Sequence, residues 1–262
     1  MELHARARSV GEVLDAALDL VRRHALLLIG LAAMIHVPLA LMLSPLDSAQ
    51  AGGDPFAALR RAVPALLYAT LVAPILGVAL IAALGELARG QRTDFGAALR
   101  SGLARLLPFA WASTLVFGLV LIASTPLIAV AMLWPTLGGL VRAAGIAAGL
   151  ALPLVVVLRY LLLGQVVVIE GATGVASLRR SAELVRGSVL RCFGILLLGG
   201  LITGLLGGGV RMALGWIPVA GALFTGLAQS VGLAYTTALA VVLYFDQRAQ
   251  RGDAEPAAFS GA

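Results

Sequence analysis

VASLRRSAELVRGSVLRCFGILLLGGLITGLLGGGVRMAL, residues 175–214, decides how the chain must be read. Its first half carries Arg179, Arg180, Glu183, Arg186 and Arg191, and from Cys192 to Val210 there is no charged residue at all. A helix of about 20 apolar residues spans a hydrocarbon core of ~30 Å. In lipid a helix also satisfies all of its own backbone hydrogen bonds. The stretch therefore reads as a charged helix at a membrane surface followed by a helix that crosses the membrane.

The same alternation extends along the rest of the chain. Of 262 residues, 60 % are hydrophobic and only 12 % are charged, and the mean hydropathy is +1.00. Soluble domains are roughly 45–50 % apolar and about 25 % charged. Windows of about 19 residues pick out six spans, over roughly 25–43, 63–85, 108–133, 143–169, 190–214 and 219–245. The expected fold is all-α: a polytopic transmembrane helical bundle. Three connections, SPLDSAQAGGDP (44–55), LWPTLGGLVR (133–142) and ALGWIP (213–218), are short and rich in turn residues. The other connections hold most of the charge.

All 19 basic residues are arginine. Fifteen fall in the N-terminus, the second and fourth loops and the C-terminus, counting Arg159 with the loop that follows it; Arg60, Arg61, Arg142 and Arg211 fall on the other side. Basic residues concentrate on the cytoplasmic side, so both termini are expected there. The high pI, ≈ 10.6, then reflects membrane flanks rather than nucleic-acid binding. Residues 1–51 could alternatively be a cleaved signal, with Ala49 and Ala51 as its A-x-A site. Against this, the region before the apolar run is long and carries four acids. Residues 249–262 read as a disordered cytoplasmic tail. Cys192 is the only cysteine, which excludes an intrachain disulfide and a cysteine metal cluster.

Three cytoplasmic segments share one helical pattern. In SVGEVLDAALDLVRRH (9–24), Val10, Val13, Leu14, Ala17, Leu18 and Val21 form an apolar face opposite Glu12, Asp15, Asp19, Arg22 and Arg23. Ser9 with Glu12 forms a capping box that marks a helix start. In DFGAALRSGLARLL (94–107) the face is Phe95, Ala98, Leu99, Gly102, Leu103 and Leu106; in 175–189 it is Val175, Leu178, Ala182, Val185 and Val189. Such segments are expected to lie in the headgroup plane, with Arg22, Arg23, Arg100, Arg105, Arg179, Arg180 and Arg186 on anionic lipid. Aligning Leu14, Leu99 and Leu178 suggests a threefold repeat with units of about 9–87, 94–170 and 173–248 within a single membrane domain, 1–248.

Chemistry is sparse. His4, His24 and His36 are not at ligand spacing with other donors, apart from the acids near His24 on the surface helix. No nucleotide loop or serine elbow occurs. No catalytic residue, metal site or cofactor is expected. The sharper candidates are polar groups near membrane depth: Arg159, Glu170, Glu86, Gln165 and Asp246. On one continuous helix Arg159 would sit about 16 Å deeper than Glu170. A charge there costs at least ~2.5 kcal/mol unless it is paired or reaches water. It is either a structural tie or a contact for lipid, substrate or ion. Gly145 and Gly149 in span four, and Gly200, Gly204 and Gly208 in span five, have the spacing that lets helices approach closely, within the bundle or between copies.

Taken together, GEVLDAALDLVRRH (11–24), VVVIEG (166–171), SLRRSAELVRGSVLRCFGILLL (177–198) and LYFDQR (243–248) resemble the membrane domain of bacterial glycerophosphodiester phosphodiesterases and related stand-alone membrane proteins. The soluble catalytic barrel of the fused relatives has no counterpart here. The resemblance implies a multi-pass protein of the bacterial inner membrane without that activity. The expected role is a scaffold or accessory protein that binds anionic lipid and a partner enzyme of phospholipid or envelope metabolism. The alternative is a transporter or lipid-moving protein with a polar cavity near Arg159. The oligomeric state is left open.

Overall fold

A computed structural model describes residues 8–48, 55–133 and 138–253, and among them every regular element is helical. In order these are α1 (Val10–Arg23), α2 (Ala25–Ser48), α3 (Pro55–Leu71), α4 (Ala73–Ala88), α5 (Phe95–Leu133), α6 (Gly139–Arg159), α7 (Leu163–Gln165), a π-helix (Val166–Glu170), α8 (Gly174–Val185), α9 (Val189–Leu214) and α10 (Pro218–Gln250). Among the described residues six stretches are long and apolar enough to cross a membrane: Ala25–Leu43, Ala62–Ala88, Phe95–Thr125, Gly139–Glu170, Val189–Leu214 and Val219–Gln250. The expected count of six is therefore met. The A-x-A site, His4 and most of the expected tail lie outside the described residues.

Three details differ from the sequence expectation. The second amphipathic segment is not a separate helix: α5 runs unbroken from Phe95 to Leu133. Nothing between Phe95 and Leu107 stops a helix, and Pro108 continues it. The second span is broken at Val72, where Pro74, within the first turn of α4, lacks an N–H to continue the ladder. The fourth span is not continuous either. α6 ends at Arg159, a turn covers Tyr160–Leu162, and the short α7 leads into the π-helix. Ordinary α-helical rise therefore cannot be used to place Arg159 relative to Glu170.

The chain divides into two compact units. The first comprises the described residues up to Leu106 together with those from Gly194 onward. In it α2 packs most extensively on α10, with α1, α3 and α4 around them. The capping box starts α1 as expected: Ser9 Oγ accepts the Glu12 N–H at 3.2 Å and Glu12 Oε2 accepts the Ser9 N–H at 2.5 Å. The apolar face of α1 is covered by protein, because Val13, Ala17, Leu20 and Val21 are buried and α1 packs on α10. The core continues through α4, from Val78 to Leu80 and Ala82 to Leu84, and through α10, where every residue from Val241 to Gln247 is buried. Elsewhere large apolar side chains such as Leu66, Leu71, Phe224 and Leu227 are exposed, the pattern of a lipid-facing surface.

Hydrophobic burial gives little drive between helices in lipid, so close backbone approach matters more. It occurs at Gly102, where a Cβ would lie 2.8 Å from the Ala79 backbone nitrogen, and at Gly226, where it would lie 2.9 Å from Val37 Cα. In α9 the close contacts belong to Gly199 against Leu239, and to Thr203, which lies against Gly232 of α10. Gly200, Gly204 and Gly208 have nothing within 4 Å of their Cβ positions. Their expected role in intramolecular packing is therefore corrected: the packed face of α9 lies one residue earlier.

The second unit is Leu107–Phe193. Its core joins Ala112, Leu163, Val167 and Leu178, with Phe109, Leu115, Val116 and Tyr160 packed around them. The π-helix is buried from Val166 to Ile169 and ends at Gly171, whose φ of 75° is a left-handed value that glycine adopts without strain. The chain then turns into α8.

Candidate functional site

The second unit holds a cavity of about 1250 Å³ between α5, the end of α6 and α8. Drug-sized ligand pockets are typically ~300–1,000 Å³, so this one is large for a small-molecule site. Its walls are mainly apolar: Leu115, Leu119 and Ile122 come from α5, Val155 and Leu158 from α6, and Val175 from α8. The polar groups are few: Thr114 and Tyr160, and four charged side chains of which three are cationic. Arg159 enters from α6, and Arg179, Glu183 and Arg186 enter from α8 and the turn after it.

Helix geometry explains why α8 presents this edge. Leu178, Ser181, Leu184 and Val185 turn into the unit, while Arg179, Glu183 and Arg186 are exposed at spacings of four and three residues. The buried stripe lies about one residue away from the expected one. Val175 is 64 % exposed and faces the cavity rather than the core. Arg159 closes the last turn of α6, where a cation is favoured by the helix dipole. Among the described residues nothing hydrogen-bonds or ion-pairs with the side chains of Arg159, Arg179 or Glu183.

Glu170 does not take Arg159 as its partner. It receives Arg180 in a forked arrangement, with Arg180 Nε 3.2 and 3.1 Å from the two carboxylate oxygens and Nη2 3.2 Å from Oε1. The two side chains are 26 % and 18 % exposed. Arg180, expected on lipid, thus ties α8 to the π-helix and fixes the cavity edge. Gln165 is buried beside the π-helix. Opposite α8's start, Trp111 Nε1 stands 3.7 Å from the Cβ position of Gly174. Gly145 and Gly149 lie in α6.

The remaining candidates belong to the first unit. Glu86 accepts a hydrogen bond from Ser101 Oγ at 3.4 Å. Asp246 is buried and accepts the Arg8 N–H at 3.1 Å and Gln250 Nε2 at 2.8 Å, so it fastens the start of α1 to α10. Arg23 pairs with Asp19 at 2.8 Å on an exposed face; Arg22 is exposed there too. Arg100 Nε donates to Gly96 O at 3.3 Å, and Arg105 is half-buried. Among the described residues no group of three or more His, Cys, Asp or Glu side chains could hold a metal.

The wall that α5 contributes was missed in sequence, since Thr114 to Ile122 carry no charge and resemble any lipid-facing helix. The π-helix that redirects the chain between Arg159 and α8 also has no clear sequence signal, although such insertions recur at functional sites.

No curated protein and no solved structure matches this chain. A family match does run over residues 9–248, nearly the whole described bundle, and its description assigns no activity. The chain belongs to the family described as Domain of unknown function (DUF7847).

Proposed function

We propose that this is a noncatalytic integral membrane protein that holds an anionic lipid in the groove between α5, α6 and α8. It works as a scaffold or accessory subunit for a partner enzyme of phospholipid or envelope metabolism. Its setting is the bacterial inner membrane with both termini cytoplasmic, the side on which the arginine-rich segments fall.

One observation carries the reading: among the described residues, mainly apolar walls meet three arginines and a single carboxylate in one cavity. Acyl chains need the walls. A phosphate suits guanidinium groups, which offer planar, two-pronged hydrogen bonds and are easier to desolvate than an ammonium. Near an anionic leaflet each arginine adds about 1 kcal/mol of attraction. Arg159 fits this role better than that of a structural tie, since no described side chain neutralises it.

Native mass spectrometry of the detergent-purified protein tests this. Retention of anionic phospholipid over phosphatidylcholine is expected, falling at least about fivefold in Arg159→Gln/Arg179→Gln, as loss of ~1 kcal/mol or more requires. Equal retention of both lipids by the wild type would refute it.

The size and reach of the cavity also favour a second reading, in which the groove moves lipid rather than storing it. Reconstituted vesicles discriminate: accelerated exchange of a labelled anionic lipid between leaflets supports movement, and an unchanged rate supports the scaffold.

A further inference from the structure

Among the described residues Glu183 is the one acidic side chain lining the groove, and its position is not explained by binding a phosphate. It stands four residues after Arg179 and three before Arg186, a spacing at which ion pairs form on a helix. Yet no described residue hydrogen-bonds or ion-pairs with its carboxylate, although it lies in the same exposed, cavity-lining edge. A carboxylate accepts hydrogen bonds and repels anions. Set among cations that receive a phosphate, it weakens the site unless the ligand also brings hydrogen-bond donors.

We infer that Glu183 selects the headgroup. The preferred ligand is a phospholipid with one phosphodiester charge and free hydroxyl groups beyond it, of the phosphatidylglycerol type. This rests on the proposed lipid reading of the groove. The phosphodiester engages Arg159 and Arg179, and a headgroup hydroxyl donates to the Glu183 carboxylate, a charge-assisted hydrogen bond. Phosphatidic acid brings a phosphomonoester without hydroxyl donors beyond it, and its second charge falls near Glu183. Phosphatidylethanolamine offers an ammonium donor but has no net charge, whereas Arg159 and Arg179, which no described residue neutralises, outnumber Glu183 at the groove.

The test compares wild type, Glu183→Gln and Arg159→Gln in detergent with phosphatidylglycerol, phosphatidic acid and phosphatidylethanolamine, reading occupancy by native mass spectrometry. Glu183 is exposed, so its substitution leaves the fold intact, which thermal unfolding verifies. The wild type is expected to favour phosphatidylglycerol over phosphatidic acid about tenfold, equivalent to ~1.4 kcal/mol. Glu183→Gln is expected to narrow that ratio to about twofold, chiefly by admitting phosphatidic acid. Arg159→Gln is expected to weaken both anionic lipids together. Equal binding of the two anionic lipids by the wild type, a ratio unchanged in Glu183→Gln, or a preference for phosphatidylethanolamine overturns the role of Glu183. Of these, the first two leave lipid binding standing. Absence of binding by either anionic lipid overturns the lipid reading itself.

Discussion

Replacing Gly102 by alanine adds one methyl group where α5 crosses α4. The Cβ would lie 2.8 Å from both the Cβ and the backbone nitrogen of Ala79, against an ordinary contact of 3.4 Å or more. The two helices must therefore separate by about 0.6 Å, and no side-chain rotation relieves it because the obstacle is backbone. Forcing an extra carbon into a packed contact costs about 1–3 kcal/mol. Alanine also gains up to ~1 kcal/mol over glycine as a helix former, which masks part of that cost. Gly204→Ala in α9 supplies the correction, because that Cβ enters open space within the same unit and gains the propensity alone. The difference between the variants isolates the steric term, and at about 2–4 °C per kcal/mol it is roughly 2–12 °C in apparent midpoint. Thermal unfolding in one detergent, followed by tryptophan fluorescence, measures it. A Gly102→Ala protein that melts at or above Gly204→Ala would refute the α4–α5 crossing.

Three further outcomes are expected. Arg180→Leu and Glu170→Gln should each cost about 1–3 kcal/mol, between exposed and fully buried pairs, and the double variant should cost less than their sum; strict additivity in the melting cycle would deny the pair. Asp246→Ala removes the acceptor that Arg8 N–H and Gln250 share, so limited proteolysis ahead of α1 should accelerate while Asp246→Asn, which keeps one acceptor oxygen, changes it less. A reporter fused after Arg251 should be active only in a cytoplasmic form, and periplasmic activity there would overturn the proposed orientation.

The spans were legible because length and apolarity are physical requirements of crossing lipid, and each of the six overlaps a stretch of helix long and apolar enough to cross, although the second and fourth are interrupted within. Helix breaks were not. Pro64 and Pro153 sit inside helices while Pro74 follows a break, so proline alone does not tell which. The face of α9 was equally hidden: Gly199, Gly200, Gly204, Gly207 and Gly208 occupy neighbouring faces, and spacing cannot choose between them without α10 in view. Arg159 stood out as a charge near membrane depth. Glu170 and Arg180 were both singled out, but for different duties, because the π-helix and the Gly171 turn that bring them together have no periodic pattern of their own. α1 shows how an amphipathic pattern leaves its partner open. The same face suits a lipid surface or a protein one, and here α10 covers it.

Lipid occupancy of the groove is the central claim, and photo-crosslinking locates it most directly. The wild-type protein in nanodiscs containing phosphatidylglycerol with a photoreactive group near the headgroup is irradiated, digested and mapped by mass spectrometry. Adducts are expected on α8 between Val175 and Gly187 and on the facing turns of α5 between Thr114 and Ile122, and they should fall in Arg159→Gln/Arg179→Gln. Adducts spread evenly over the exposed faces of α3 and α9, with none enriched at the groove and no change in the arginine variant, would contradict the account.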